Sequence, residues 1–279
     1  MRRIQWGQSE PTLLRYSVRR IAIITGALLF LWLVFSLGDL QQYRIGDFVF
    51  ILLALSFLAS LALDYTSMTS ALGSINGEIT AGRWELLRIS LVTIPQIVAA
   101  KHGAAQVRAW RLMVVIVALR LAVLLMGILS LLFEVFFNSS YPYPYQTSTD
   151  LIGIMTGLVV LLVLGLIYII EPWWRMRTIT ALGVAISARA RQSTSAVLAA
   201  GGTVFAIWLL QGAIAFVIVL VISFLIFPLA LVEYSAYQFV IISPLAAFVL
   251  ITAAVYGFYS IVQTWGLRRA ERWIAQASR

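Results

Sequence analysis

Cysteine is absent from this chain and histidine occurs once. Neither a disulfide framework nor a Cys/His metal centre can be built from that inventory. Lysine is as scarce: Lys101 stands alone and is followed by His102 and Gly103. A P-loop needs Gly-x4-Gly-Lys-Ser/Thr, because its amides and its lysine together surround the phosphates. No such cradle precedes Lys101, so ATP hydrolysis by that route is not expected of this chain. We expect no catalytic residue, no metal and no cofactor in it. Charged residues make up only 11% of the sequence, against about 25% in an average soluble domain. The net charge of +9 would suit a nucleic acid. We reject that reading, because no polar domain exists to carry such a footprint and the charge fits beside anionic lipid.

What the chain has is apolar length. Hydrophobic residues account for 62% of it, gathered into runs at 21–38, 48–63, 112–133, 151–170, 203–227 and 239–263. A helix needs roughly 20 residues, at about 1.5 Å each, to cross a hydrocarbon layer of about 30 Å. The first two runs are short and must borrow flanking residues, whereas the fifth is long enough to tilt. The runs are continuous rather than alternating, which selects helices over a barrel. The expected fold is all-α, a polytopic membrane protein with six transmembrane helices.

The arginines give the orientation. Arg2, Arg3, Arg15, Arg19 and Arg20 precede the first run, and Arg83, Arg88, Lys101, Arg108 and Arg111 lie between the second and third. Arg175, Arg177, Arg189 and Arg191 separate the fourth from the fifth, and Arg268, Arg269, Arg272 and Arg279 follow the sixth. The alternate loops hold only Arg44. Cytoplasmic loops retain basic residues, so both termini are expected in the cytoplasm. The first run lacks a small-x-small cleavage site after Leu37-Gly38 and reads as a retained signal anchor.

Three regions follow. Residues 1–20 interleave Trp6, Leu13, Leu14, Tyr16 and Val18 with arginines, the pattern of an interfacial amphipathic helix. Residues 21–267 form the six-helix transmembrane domain, with a cytoplasmic excursion at 64–111. Residues 268–279 form a basic cytoplasmic tail. The excursion is too long for a simple turn. It reads as a helix over about 77–90, a break at 91–93, and a second helix opened by Thr93-Ile94-Pro95-Gln96, a capping-box pattern with proline in the first turn.

Arg120 is the one charge well inside a run. A central arginine costs about 2.5–3.5 kcal/mol on insertion scales, so it and Gln211 are candidates for a substrate path. The competing reading is a structural pair between them. Glu171 can pair with Arg175 at i,i+4, and Asp64 and Glu134 are expected at wet span ends. Gly153 and Gly157 are assigned to helix packing. Polar residues in the runs are few, Ser56, Ser60, Thr156, Gln211 and Ser223 among them, which fits a lipid-like or amphipathic cargo.

Residues 78–101 read EITAGRWELLRISLVTIPQIVAAK. This segment resembles the cytoplasmic signature of ATP-binding-cassette (ABC) exporter permeases of the type-2 class. Glu78, Gly82, Glu85, Leu86, Leu87 and Lys101 fall on that pattern without a gap, Ser90 replaces its threonine, and Thr93 replaces its turn serine. Arg83, Leu91 and Ala100 depart from it. Residues 10–20 also resemble the connecting helix that precedes the first span in that family. The resemblance implies a coupling helix around 87–93 between spans two and three, docking on a separate ABC ATPase subunit that binds ATP and Mg. It further implies a second permease subunit, identical or related, and a prokaryotic inner membrane. Two other readings share the topology: a non-transporting subunit that anchors or organises a larger complex, and a secondary transporter. The latter lacks a convincing Asp, Glu or His relay.

Overall fold

A computed structural model describes residues 10–38, 43–82, 92–138, 148–190, 192–231 and 237–277. Among them every regular element is a helix. In chain order these are α1 (Glu10–Gly38), α2 (Tyr43–Leu72), α3 (Asn76–Thr80), α4 (Ile94–Asn138), α5 (Ser148–Arg189), α6 (Ser193–Leu231) and α7 (Tyr237–Ala277). Five stretches among the described residues are long and apolar enough to cross a membrane: Leu14–Phe35, Phe48–Ile79, Ile94–Ser130, Thr194–Ile214 and Phe248–Gln276. By helix length and composition this is a multi-pass membrane protein. The apolar run at 151–170 is also helical, inside α5.

The short runs borrow as their length demands. α1 has 29 residues and continues without a break from the basic segment into the first run. α2 has 30 and extends the second run at both ends. The start of α4 follows its local chemistry. Thr93 N–H donates to Gln96 Oε1 at 3.1 Å, and Pro95 occupies the first turn, where its missing N–H is harmless.

The helix expected over 77–90 is interrupted instead. α3 stops at Thr80, and Gly82 takes φ +70°, a left-handed conformation that costs glycine least. Its N–H donates to Ile79 O at 3.1 Å, as at a helix C-terminus. The rest of that expected helix, 83–90, lies outside the described residues.

The chain divides into two compact units: Met1–Leu61 with Arg111–Pro172, and Ala62–Trp110 with Trp173–Arg279. The first has a core of Trp32, Leu52, Leu119, Ala122, Val123 and Met126. Within it Thr25 Oγ1 donates to Ala118 O at 3.1 Å and ties α1 to α4. The second has two cores. Ala71, Ile75, Val98, Ala105, Val184 and Ala270 contribute to one, and Met68, Ile179, Leu182, Ala200 and Ile207 form the other.

Small residues let helices of the second unit approach closely. A Cβ at Gly183 on α5 would lie 2.6 Å from Ala71 Cβ and 3.2 Å from Met68 O on α2. Large side chains such as Phe30, Phe50, Leu198 and Phe205 remain exposed, which suits helices solvated by lipid tails rather than water.

Gly183→Val should therefore overpack the α2–α5 crossing and cost about 1–3 kcal/mol, seen as a lower thermal midpoint in detergent. Gly201→Ala has nothing within 4 Å to meet and should leave the midpoint unchanged or raise it.

Candidate functional site

Charge in an apolar helix must find a partner, and the described residues form two buried networks that meet this need. The first belongs to the first unit. Arg120 projects from α4 and is 5% exposed. Its Nη1 donates to Glu171 Oε2 at 2.8 Å, and its Nη2 donates to Ser60 Oγ at 2.9 Å. The Ser60 hydroxyl in turn donates to Ser56 O at 2.9 Å, and the Ser56 and Tyr168 hydroxyls share a hydrogen bond.

Pro172 explains a further contact. A proline inside a helix has no N–H for the carbonyl four residues earlier, and here that carbonyl belongs to Tyr168. Arg120 Nη1 donates to the same Tyr168 O. The guanidinium also stacks on the Tyr168 ring, 4.5 Å from its centroid. The proline thus opens a backbone acceptor, and the arginine fills it.

The second network belongs to the second unit. Asp64 on α2 is 1% exposed and Arg175 on α5 is 6% exposed. Arg175 Nε donates to Asp64 Oδ1 at 2.7 Å, and Trp208 Nε1 donates to Asp64 Oδ2 at 2.8 Å. Arg175 Nη2 donates to Gln211 Oε1 at 3.0 Å, and Gln211 Nε2 donates to the Tyr259 hydroxyl at 2.8 Å. Thr178 Oγ1 donates to Tyr259 O at 3.0 Å. One carboxylate and one guanidinium thereby connect α2, α5, α6 and α7.

This corrects the expectation that Asp64 sits at a wet span end. Arg175, counted with the cytoplasmic charges, is buried as well. Arg120 and Gln211 enter different networks: Glu171 and Ser60 hold Arg120, whereas Arg175 and Tyr259 hold Gln211. Glu171 acquires a partner on another helix that its own spacing did not indicate.

A signal for these sites was present in α2. Its buried polar residues are Ser56, Ser60, Asp64 and Ser67, spaced four, four and three, which is one helical face. On α6, Trp208 and Gln211 share the i,i+3 relation.

The residues of the 78–101 motif fall in two groups. Glu85, Leu86, Leu87 and Ser90 lie outside the described residues. Glu78, Gly82, Thr93 and Lys101 lie within them. Lys101 Nζ donates to Glu78 Oε1 at 2.8 Å, so the first and last residues of the motif meet. Gly82 makes the left-handed turn between them, and Thr93 opens α4.

One residue missed by sequence reasoning anchors this segment. Ser187 on α5 is fully buried, and its Oγ accepts from the N–H groups of Ile75 and Asn76, each at 3.1 Å. The first N–H groups of a helix have no partner inside it, and a hydroxyl from α5 supplies one here.

As arranged, each buried guanidinium is neutralised by a carboxylate. Such a pair holds helices together and fixes their register. Among the described residues no group of three His, Cys, Asp or Glu side chains could hold a metal ion. Comparisons of the chain with protein families, with curated proteins and with solved structures return no match.

Breaking one side of a buried pair leaves an uncompensated charge and costs about 3–5 kcal/mol. Asp64→Asn and Arg175→Gln should each lower the unfolding midpoint or yield of the purified protein to that extent. The apolar pair Asp64→Leu with Arg175→Met should recover most of the loss. Additive losses in the double variant would show that the two side chains do not act as a pair.

Proposed function

We propose that this chain is the membrane-spanning permease subunit of an ATP-driven ABC exporter of the type-2 class. In this reading it crosses a prokaryotic inner membrane six times, with both termini in the cytoplasm. It pairs with a second permease subunit, identical or related. A separate ATPase subunit binds ATP and Mg and docks on the segment between α3 and α4. Closure of the ATPases pushes that segment, and the spans respond by shifting access from one side of the membrane to the other.

The observation that carries this reading is the ion pair between Glu78 and Lys101. These residues bound the segment that resembles the family signature. Their contact brings the two ends of that segment together. Two further contacts support a mechanical role. Ser187 ties the start of α3 to α5, and the Thr93–Gln96 cap fixes the start of α4. A push on the excursion would then act on two long helices through fixed points rather than through slack chain.

The full-length chain, purified by an affinity tag from its native membranes, should retain a P-loop ATPase in stoichiometric amount. Glu85→Arg combined with Leu87→Asp should reduce that retention by about tenfold or more, the effect of losing a central contact, while membrane insertion is unchanged. Association with redox or assembly proteins alone would favour a non-transporting anchor. Normal ATP-dependent export by the well-expressed double variant would remove the docking role from this segment.

A further inference from the structure

Arginines that stack on indoles recur in the second unit, and two of them share one ring. Arg189, at the end of α5, lies 5.4 Å from the centroid of Trp273 on α7. Arg269 lies 5.8 Å from the same ring and 5.0 Å from Trp265. The result is an array of guanidinium, indole, guanidinium and indole that connects two helices. Neither arginine has an ion-pair partner among the described residues. Glu271 is near in sequence, but residues two apart on a helix do not face each other.

Stacking occupies the flat face of a guanidinium and leaves the donors on its edge free of the ring. Arg269 Nε is covered and has no hydrogen-bond partner among the described residues. The Trp265 and Trp273 rings flank this side chain. Arg189 and Trp265 are exposed. The array thus presents positive charge beside an aromatic surface.

Its position along α7 suggests the ligand. The continuous apolar run of α7 ends at residue 263, and Trp265 to Trp273 lie in the last part of the membrane-crossing stretch Phe248–Gln276. From Trp265 to Trp273 is eight residues, about 12 Å of helix. That is enough to cross the headgroup layer of one leaflet, roughly 5–8 Å deep. Tryptophan favours that zone because its ring is amphipathic, and arginine there meets the negative potential of anionic lipid.

We infer that Arg189, Arg269, Trp265 and Trp273 form a binding site for the phosphate headgroup of an anionic phospholipid. The guanidinium groups donate to the phosphate oxygens, and the exposed Trp265 indole lies against the glycerol and upper acyl region. The site does not depend on the transport reading.

The test uses the full-length chain in a neutral detergent. Its thermal midpoint is read with added dioleoyl phosphatidylglycerol, dioleoyl phosphatidylcholine or inorganic phosphate. Phosphatidylglycerol should stabilise more than phosphatidylcholine, with an apparent preference of roughly thirty-fold from two arginines. Arg189→Gln with Arg269→Gln should abolish the preference and keep the response to phosphatidylcholine. Arg15→Gln with Arg19→Gln should retain most of it. An undiminished preference in the first double variant, or an equal rise with inorganic phosphate, would overturn the site. Native mass spectra of the unmodified chain provide a measurement that needs no variant: phosphatidylglycerol should stay bound in preference to phosphatidylcholine, and equal retention would also overturn the site.

Discussion

A guanidinium inside an apolar helix packing cannot rely on water, and two such groups set the terms on which this chain folds. Arg120 and Arg175 each lose most of their solvent. Each is matched by a carboxylate from another helix and then by hydroxyl, amide or carbonyl oxygens. The desolvation of such groups is severe, and only near-complete pairing offsets it. Helix partners are therefore specified by charge as well as by shape. Apolar packing against lipid is weakly selective, because lipid tails are as apolar as leucine. The polar networks provide the selectivity that hydrophobic contact lacks.

The backbone takes part in this. Pro172 in α5 leaves the Tyr168 carbonyl without its helical donor, and Arg120 donates to it. The proline would be a defect in isolation. Paired with the arginine it becomes a recognition point between α4 and α5 within the first unit. The small residues of the second unit act similarly by geometry, since Gly183 lets α5 rest against Ala71 of α2.

Much of the helical content was legible because it follows from long apolar runs and a few termini. The Thr93–Gln96 cap and the proline at position 95 gave the start of α4 directly. The interior sites were harder to read. Arg175 looks like one more basic loop residue when counted by segment, and Asp64 looks like a span-end carboxylate. Only their tertiary pairing shows that both are buried. The four-four-three spacing of polar residues on α2 held the clue, but a hydropathy profile averages it away. The end of α3 depended on the left-handed backbone of Gly82, which no hydrophobic period can reveal. Within the motif, the pairing of Glu78 with Lys101 joins residues 23 apart in sequence, so it belongs to the folded loop and not to local propensity.

The hydroxyl of Ser187 has a consequence for biogenesis. α3 has five residues, too few to persist as an isolated helix. Its first N–H groups are satisfied from α5, which emerges from the ribosome about a hundred residues later. The turn that opens α3 is therefore completed only when α5, from later in the polypeptide, has packed against it. The local structure of this early segment thus depends on a residue synthesised after it.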